Sequence, residues 1–450
     1  MTHRANLNER FGAVADTIRI EGTRILATLI RTVGDVQLAE DAVQEAALAA
    51  LGAWPVTGVP PEPRAWLTVT ARRKAIDIIR RERARVDKER AGSELLDLNR
   101  RELPGDSPAV AHALDPYGAV DSEAVVQDDL LRLIFTCCHP ALSPSTRVAL
   151  ALRTLCGLSA AQIAAVLLTT EVATTKRLVR ARQKIAAARI PYRVPDETEL
   201  PGRLPAVCAV IHSLYTAGHA PSEGEAAYDV DLCAEGIRLA ELLHTLLPDQ
   251  PTPTAILALL LLTEARRPAR VDDSGEVVTL DLQDRSRWDQ DLIARGVELL
   301  NDSLERSGRQ ADAYQLQAAI AAEHARVPSY TATDWREIVR LYDLLVEVSP
   351  SPAAELARIV AIAETGQVDT ALELLDGIPP SSRRHAVRAE LLARQNRYAA
   401  AVAELDQALD RAPHSHPERS HRERRRNHFQ QLAAREQTTP APPPEGDLSS

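Results

Sequence analysis

Apolar residues along most of this chain return every third or fourth position, which gathers them on one face of an α-helix. Between Asp35 and Glu45 one side of such a helix is acidic, and the other carries Leu38, Ala42, Val43 and Ala46. Residues 7–53 read as helices of this kind. Pro55 and the Pro60-Pro61-Glu62-Pro63 cluster then interrupt the chain before a basic helix from about Arg64 to Lys88. Further on, Ile163, Ala164 and Leu167 mark one short helix, and Leu178, Ala181 and Ile185 mark the next. Ala164 is small enough for a close crossing and Ser159 stands at the cap position, so the pair reads as a helix-turn-helix. Long helical stretches continue to about residue 412, with Glu276–Leu282 expected as a short strand after the turn Asp273-Ser274-Gly275. The fold class is therefore all-α.

Where periodicity fades, boundaries follow. Gly, Pro, Asp and Ser accumulate over 91–125, a linker composition, and Pro191, Pro195 and Pro201-Gly202 mark a second break. From His414 the chain is polar and then Pro-rich, the composition of a disordered tail. The expected organisation is 1–90, the linker 91–125, 126–193, a helical extension 200–413, and the tail 414–450. Inside the extension, Gly366-Gln-Val-Asp-Thr-Ala371-Leu-Glu-Leu-Leu375 recurs 30 residues later as Asn396-Arg-Tyr-Ala-Ala-Ala401-Val-Ala-Glu-Leu405. Small residues at helix crossings, a turn-former between helices and Pro413 at the close look like a tetratricopeptide repeat, with 312–325 and 334–347 as a further loose unit.

Charge divides the chain in the same place. Up to Arg193 there are 27 Lys+Arg against 22 Asp+Glu, a net of +5, and the remainder holds 26 against 41, a net of −15. A basic front half joined to an acidic back half suggests a nucleic-acid module attached to something that would itself repel phosphate. No signal peptide is expected from the polar first stretch. The longest apolar run, Ala255–Leu262, is far short of the roughly 20 residues a membrane span needs, so no membrane partner is expected. Five cysteines in 450 residues do not form a disulfide framework, which suits a reducing cytoplasm.

Two basic helices carry the candidate chemistry. In the helix-turn-helix, Lys176, Arg180 and Lys184 stack at i, i+4 on the outer face beside Thr175 and Arg177, where a recognition helix meets a major groove. In the earlier helix, Trp66, Leu67, Val69 and Thr70 adjoin Arg72, Arg73 and Lys74. That mixture suits single-stranded DNA, and equally suits a core Trp beneath a cationic surface. Cys137-Cys138-His139 reads as core cysteines rather than a metal cluster, since neighbours on a helix diverge by about 100° and no second pair lies at zinc spacing. His212 and His219 flank Tyr215 and Gly218, ahead of Glu223 and Glu225, without a nucleophile or ligand pattern. The basic run Arg422–Arg426 reads as solvated.

Taken together, Ala39-Glu-Asp-Ala-Val-Gln-Glu45, Ala65-Trp-Leu-Thr-Val-Thr-Ala-Arg-Arg-Lys-Ala-Ile-Asp-Ile-Ile-Arg-Arg81 and the helix ending Arg177-Leu-Val-Arg-Ala-Arg182 resemble an extracytoplasmic-function sigma factor of bacterial RNA polymerase. The resemblance spans about 180 residues and three separate motifs. It implies two small helical sigma domains, region 2 over 1–90 and region 4 over 126–193, that bind and do not catalyse. By that likeness Glu40, Asp41, Gln44 and Glu45 dock on the β′ clamp helices of core polymerase. Arg72, Arg73, Lys74, Asp77, Arg80 and Arg81 lie along the −10 element, and Thr175, Lys176, Val179 and Arg180 read the −35 element. Two positions depart from the family pattern: Arg73 replaces a common Asn, and Gln162 replaces a common Glu. The implied partners are core polymerase and promoter DNA, with a protein or peptide partner for the extension, no cofactor and no metal. The acidic extension, with Arg266-Arg-Pro-Ala-Arg270 and its tetratricopeptide-like units, resembles that of the subgroup with a large C-terminal domain. The rival readings are a helix-turn-helix regulator independent of polymerase and a helical scaffold.

Overall fold

The computed structural model describes residues 21–91, 123–167, 169–188, 190–220, 228–272, 276–308, 310–411 and 416–438. Among these the structure is helical, and the one strand-like feature is a single antiparallel bridge, Val271–Val277. The strand expected over Glu276–Leu282 shrinks to that bridge because the chain turns at once, with Leu282 N–H bonding Thr279 O at 2.9 Å. The chain divides into two compact units, 1–213 and 214–450.

In the first unit a helix over 21–33 (α1) is followed by α2, Val36–Thr57, and α3, Pro63–Ala91. The Asp35 carboxylate caps α2 by accepting from Leu38 N–H at 3.0 Å. Pro55 does not interrupt α2: it sits inside the last turn, and Gly58 closes the helix by donating to Trp54 O. Buried alanines (Ala42, Ala46 and Ala50 on α2, Ala71 and Ala75 on α3) mark the inner faces of these two packed helices. Trp54 and Trp66 meet edge to face at the same crossing, with centroids 5.3 Å apart. Most of the 91–125 linker lies outside the described residues, and the chain resumes as α4, Glu123–Cys137, then α5, Pro144–Thr154, α6, Ala160–Val166, and α7, Glu171–Ala187. Phe135, Leu150, Leu152 and Ile163 are almost wholly buried among these four helices. A polar anchor ties α4 to α1. The fully buried Asp129 carboxylate accepts from Arg31 at 2.9 Å and Arg132 at 3.0 Å, and Tyr192 Oη donates to Ala27 O at 2.7 Å.

The division falls within α8, Leu200–His219. In the second unit α9, Val230–Leu246, α11, Gln290–Arg306, and α12, Ala313–Ala325, surround α10, Pro251–Glu264. Ten consecutive residues of α10, Pro253–Leu262, are buried, so the longest apolar run of the chain is a core helix covered on every side. No described helix is long and apolar enough to cross a membrane.

Beyond it helices follow in antiparallel succession: α13, Trp335–Val348, α14, Pro352–Glu364, α15, Val368–Asp376, α16, Ser382–Arg394, α17, Tyr398–Asp410, and α18, His416–Thr438. The 30-residue repeat has a structural counterpart. Thr365 and Gly366 donate to Ile362 O and Ala363 O, and Gln395 and Asn396 donate to Leu392 O and Ala393 O. Gly366 and Asn396 both lie in the left-handed region, at φ 92° and 58°. Ala371 and Ala401, 30 apart, are both fully buried.

Of the tail expected to be disordered from His414, residues His416–Thr438 form α18, and 414–415 and 439–450 lie outside the described residues. Its cations are not a solvated run: Arg425 pairs with Glu390, Arg424 with Glu276 and Arg426 with Asp406, while Arg422 is buried against Glu418 and Ser382. Phe429 is buried beside them.

The repeat turns give a test that separates backbone strain from crowding. A Cβ on Gly366 would meet nothing within 4 Å, so Gly366→Val should cost only the left-handed conformation, about 1–2 kcal/mol in urea denaturation. Asn396→Gly, at the equivalent turn, should leave stability within about 1 kcal/mol or raise it. Equal losses for both variants would refute the equivalence.

Candidate nucleic-acid interface

The helix-turn-helix is built as its apolar stripe dictates. Ser159 and Gln162 form a reciprocal cap at the start of α6: Gln162 N–H donates to Ser159 Oγ at 3.2 Å, and Ser159 N–H donates to Gln162 Oε1 at 2.9 Å. Gln162 at this position thus keeps the reciprocal bond that a Glu would make. Thr170 caps α7 by accepting from Ala173 N–H at 3.2 Å. On α7, Thr174, Leu178, Ala181 and Ile185 are buried, which leaves Thr175, Lys176, Val179 and Arg180 all exposed on the opposite side. Lys184 continues that exposed row. Val179 is 43 % exposed, an apolar contact surface between cations.

The basic helix α3 is more divided. Arg73, Asp77, Arg80 and Arg81 are exposed, whereas Arg72 is buried. Lys74 donates to Glu45 Oε2 at 2.9 Å, with Arg81 3.9 Å from the same carboxylate. The hydrogen bond from Lys74 holds the Glu45 carboxyl below its ordinary range. Trp66 is not an open platform: it is half-buried against Trp54, and its neighbours Leu67 and Thr68 are buried.

The acidic helix α2 departs from the expected outward row. Gln44 is exposed, and Asp41, half-buried, accepts from Gln37 at 2.8 Å. Glu40 faces the other way. It is 4 % exposed and bonded to Arg182 of α7, a contact between the first and last helices of the candidate interface. Burial raises its carboxyl above the ordinary 4.5, although Arg182 and then Arg153 pull it down. Beside this pair is a cavity of about 320 Å³ lined by Glu40, Gln44, Arg153 and Gln162, among others. Arg182 was the residue least apparent from sequence. It sits one turn beyond Leu178 and next to Ala181, on the buried stripe rather than the cationic row, and that offset is the one signal of its inward aim.

Cys137 and Cys138 are buried, and the Cys137 sulfur lies 3.0 Å from Thr154 Oγ1. Tyr215 and His219 stack with ring centroids 5.4 Å apart, and Glu223 and Glu225 lie outside the described residues.

Comparison with known proteins bears on both units. Residues 18–85 match sigma-70 region 2, residues 132–185 match sigma-70 region 4, and residues 203–304 match a family of unknown function, DUF6596. An uncharacterized protein of Rhizobium meliloti (strain 1021) is 38 % identical over 394 residues, covering 85 % of this chain and 88 % of that protein. No solved structure matches. The two matched regions contain α2, α3 and the helix-turn-helix. The chain therefore belongs to one family with the rhizobial protein and, by its regions 2 and 4, to the sigma-70 family, with a helical extension that includes the DUF6596 segment.

Proposed function

We propose that this chain is a non-enzymatic RNA polymerase sigma factor of the extracytoplasmic-function type, which binds core polymerase in the cytoplasm and directs it to promoters. The observation that carries the reading is the α7 face: Thr175, Lys176, Val179 and Arg180 exposed together over a buried Thr174–Leu178–Ala181 stripe, inside a region 4 match. Cations and a β-branched apolar side chain on one helix suit phosphate contact and base-edge contact at a −35 duplex. Arg73, Lys74, Asp77, Arg80 and Arg81 of α3 would follow the −10 strand, with Arg72 supporting them from the buried side. Asp41, Gln44 and Glu45 would meet the β′ clamp helices, with Glu40 reaching that surface once its bond to Arg182 opens. A regulator that ignored polymerase, or a scaffold, would have no use for the region 2 match ahead of the helix-turn-helix.

The extension reads as regulatory. Paired helices with a repeated left-handed turn support a tetratricopeptide-like arrangement over α14–α17, a class of surface that takes protein or peptide partners.

Run-off transcription with purified core polymerase and genomic promoters tests the central claim. The wild-type chain should give discrete transcripts, and Asp41→Lys with Gln44→Lys should abolish both transcription and co-purification with core while helical content is kept. No promoter-specific product from the wild type would end the sigma-factor reading.

Arg180→Ala distinguishes base from phosphate contact. A base contact should cost roughly 1–3 kcal/mol, concentrated at one promoter position. A phosphate contact should weaken all sequences evenly and flatten the salt dependence. An unchanged footprint and salt slope would remove Arg180 from the interface.

The Glu40–Arg182 pair has a pH signature. Because the folded carboxyl titrates above 4.5, its ionised form costs stability at neutral pH, and that cost is recovered as pH falls through the raised value towards 4.5. Arg182→Ala removes the main partner favouring ionisation, so the cost grows, to about 3–5 kcal/mol at pH 7 for a broken buried pair. Amide exchange in α2 and α7 of the full chain should show a deficit that narrows towards pH 4.5. A deficit constant with pH would place the effect elsewhere.

A further inference from the structure

The second unit contains a group of cations for which no carboxylate partner is seen among the described residues, two of them with a buried Nε. α10 ends in Glu264, and the residues after it are Arg266-Arg267-Pro268-Ala269-Arg270. Glu264 is already committed: it accepts from Tyr215 Oη at 3.0 Å and from Arg267 Nε. Arg270 donates to His219 O at 2.7 Å, a neutral acceptor. Arg266 is left with the face of Trp288, its Cζ 5.9 Å from the ring centre, and its buried Nε has no acceptor. Arg285 approaches the same ring at 4.8 Å. It donates to His324 O at 2.5 Å and Val327 O at 3.0 Å, yet its buried Nε also lacks an acceptor. Trp288 Nε1 and His324 Nδ1 complete the group, both buried and both without a partner among the described residues.

Four unpartnered polar nitrogens in one neighbourhood, one of them the indole's own, are costly. Trp288 is 3 % exposed, and Arg285 and His324 are each 8 % exposed. A buried donor without an acceptor destabilises the fold, more so when it is charged. Like charges add to this: burial and the neighbouring Arg270 and Arg285 push Arg266 down to about 10. Burial and the Arg266 and Arg285 charges hold His324 at about 3, so its ring is neutral and able to donate one hydrogen bond.

We propose that Arg266, Arg285, Trp288 and His324 form a receptor for one small-molecule oxyanion, a phosphate or carboxylate group, inside the extension. An oxyanion supplies what all the observations lack: several acceptor lone pairs and a negative charge, matched to the fork of Arg266. Such a site would make the extension a sensor of an anionic metabolite, and it stands whether or not the chain acts on a promoter.

Calorimetry and thermal denaturation of the full chain at fixed ionic strength, with inorganic phosphate in one arm and succinate in the other, test this against a chloride control. One arm should show saturable 1:1 binding and a midpoint that rises with ligand concentration. A response to phosphate alone assigns a phosphate-bearing ligand, and a response to succinate alone assigns a carboxylate. Arg266→Gln should weaken binding at least tenfold, with Arg266→Lys intermediate because it keeps the charge and loses the fork. Should Arg266→Gln fold poorly, the His324 ring resonance of the wild-type chain should shift on saturation with the same ligand. The proposal is overturned if neither anion binds saturably, if Arg266→Gln binds as the wild type does, or if binding leaves His324 unmoved.

Discussion

The constraint on which this architecture depends is close helix approach through alanine. Aromatic residues make up only 3 % of the chain, so large rings cannot fill wide gaps between helices. Where helices meet, the contact positions are Ala42, Ala46, Ala50, Ala71 and Ala75 in the first unit and Ala258, Ala318, Ala322, Ala371, Ala389 and Ala401 in the second, none more than 1 % exposed. An alanine buries little area but loses no rotamer freedom, and it brings backbones near enough for the larger Leu and Ile neighbours to interdigitate. Gly296 takes this furthest, since a Cβ there would come within 2.7 Å of Leu262 Cγ. Enlarging such positions would force whole helices apart, a penalty that isolated side chains cannot relieve.

This reliance explains what the sequence made legible. Periodicity identified α2, α3, α6, α7 and α10 because each has a stripe or run that must be covered, and the exposed row on α7 follows from the buried one. The turn at Gly366 and its echo at Asn396 were visible for the same reason, as turn-formers between periodic stretches. What periodicity could not show was distant neutralisation. α18 looked like a solvated tail because its Arg residues lack apolar neighbours in sequence, yet Glu276, Glu390 and Asp406 supply their partners from elsewhere in the fold. Glu40 belonged by pattern to an acidic outer face, and only tertiary contact with Arg182 reveals that it turns inward. Trp66 looked equally suited to a core and to a stacking platform, and the structure leaves it half-buried, edge to face with Trp54.

Buried charge is handled in two ways. At Asp129 and Glu40 a carboxylate out of solvent meets arginine from another helix, and at Glu264 it meets Arg267 and a tyrosine hydroxyl. Each is a pair or better, so no formal charge stands alone. Around Trp288 the pattern reverses: Arg266 and Arg285 both approach one indole, and Arg285 donates to the carbonyls of His324 and Val327 rather than to an acid. The carboxylate that closes α10 is taken by Arg267 and Tyr215, which leaves Arg266 and Arg285 outside the charge pairing seen among the described residues.

The placement of Glu40 also bears on how the first unit can rearrange. A join made by apolar burial, such as the casing of α10, resists opening in proportion to the area exposed. A join made by a buried ion pair behaves differently, because separation returns both ions to water and recovers much of the desolvation that burial imposed. The raised Glu40 carboxyl shows that here desolvation outweighs the pull of Arg182 and Arg153. The α2–α7 contact is therefore only weakly favourable in free energy, and Glu40 Oε1 and Arg182 Nε, both buried, have no partner among the described residues to offset it.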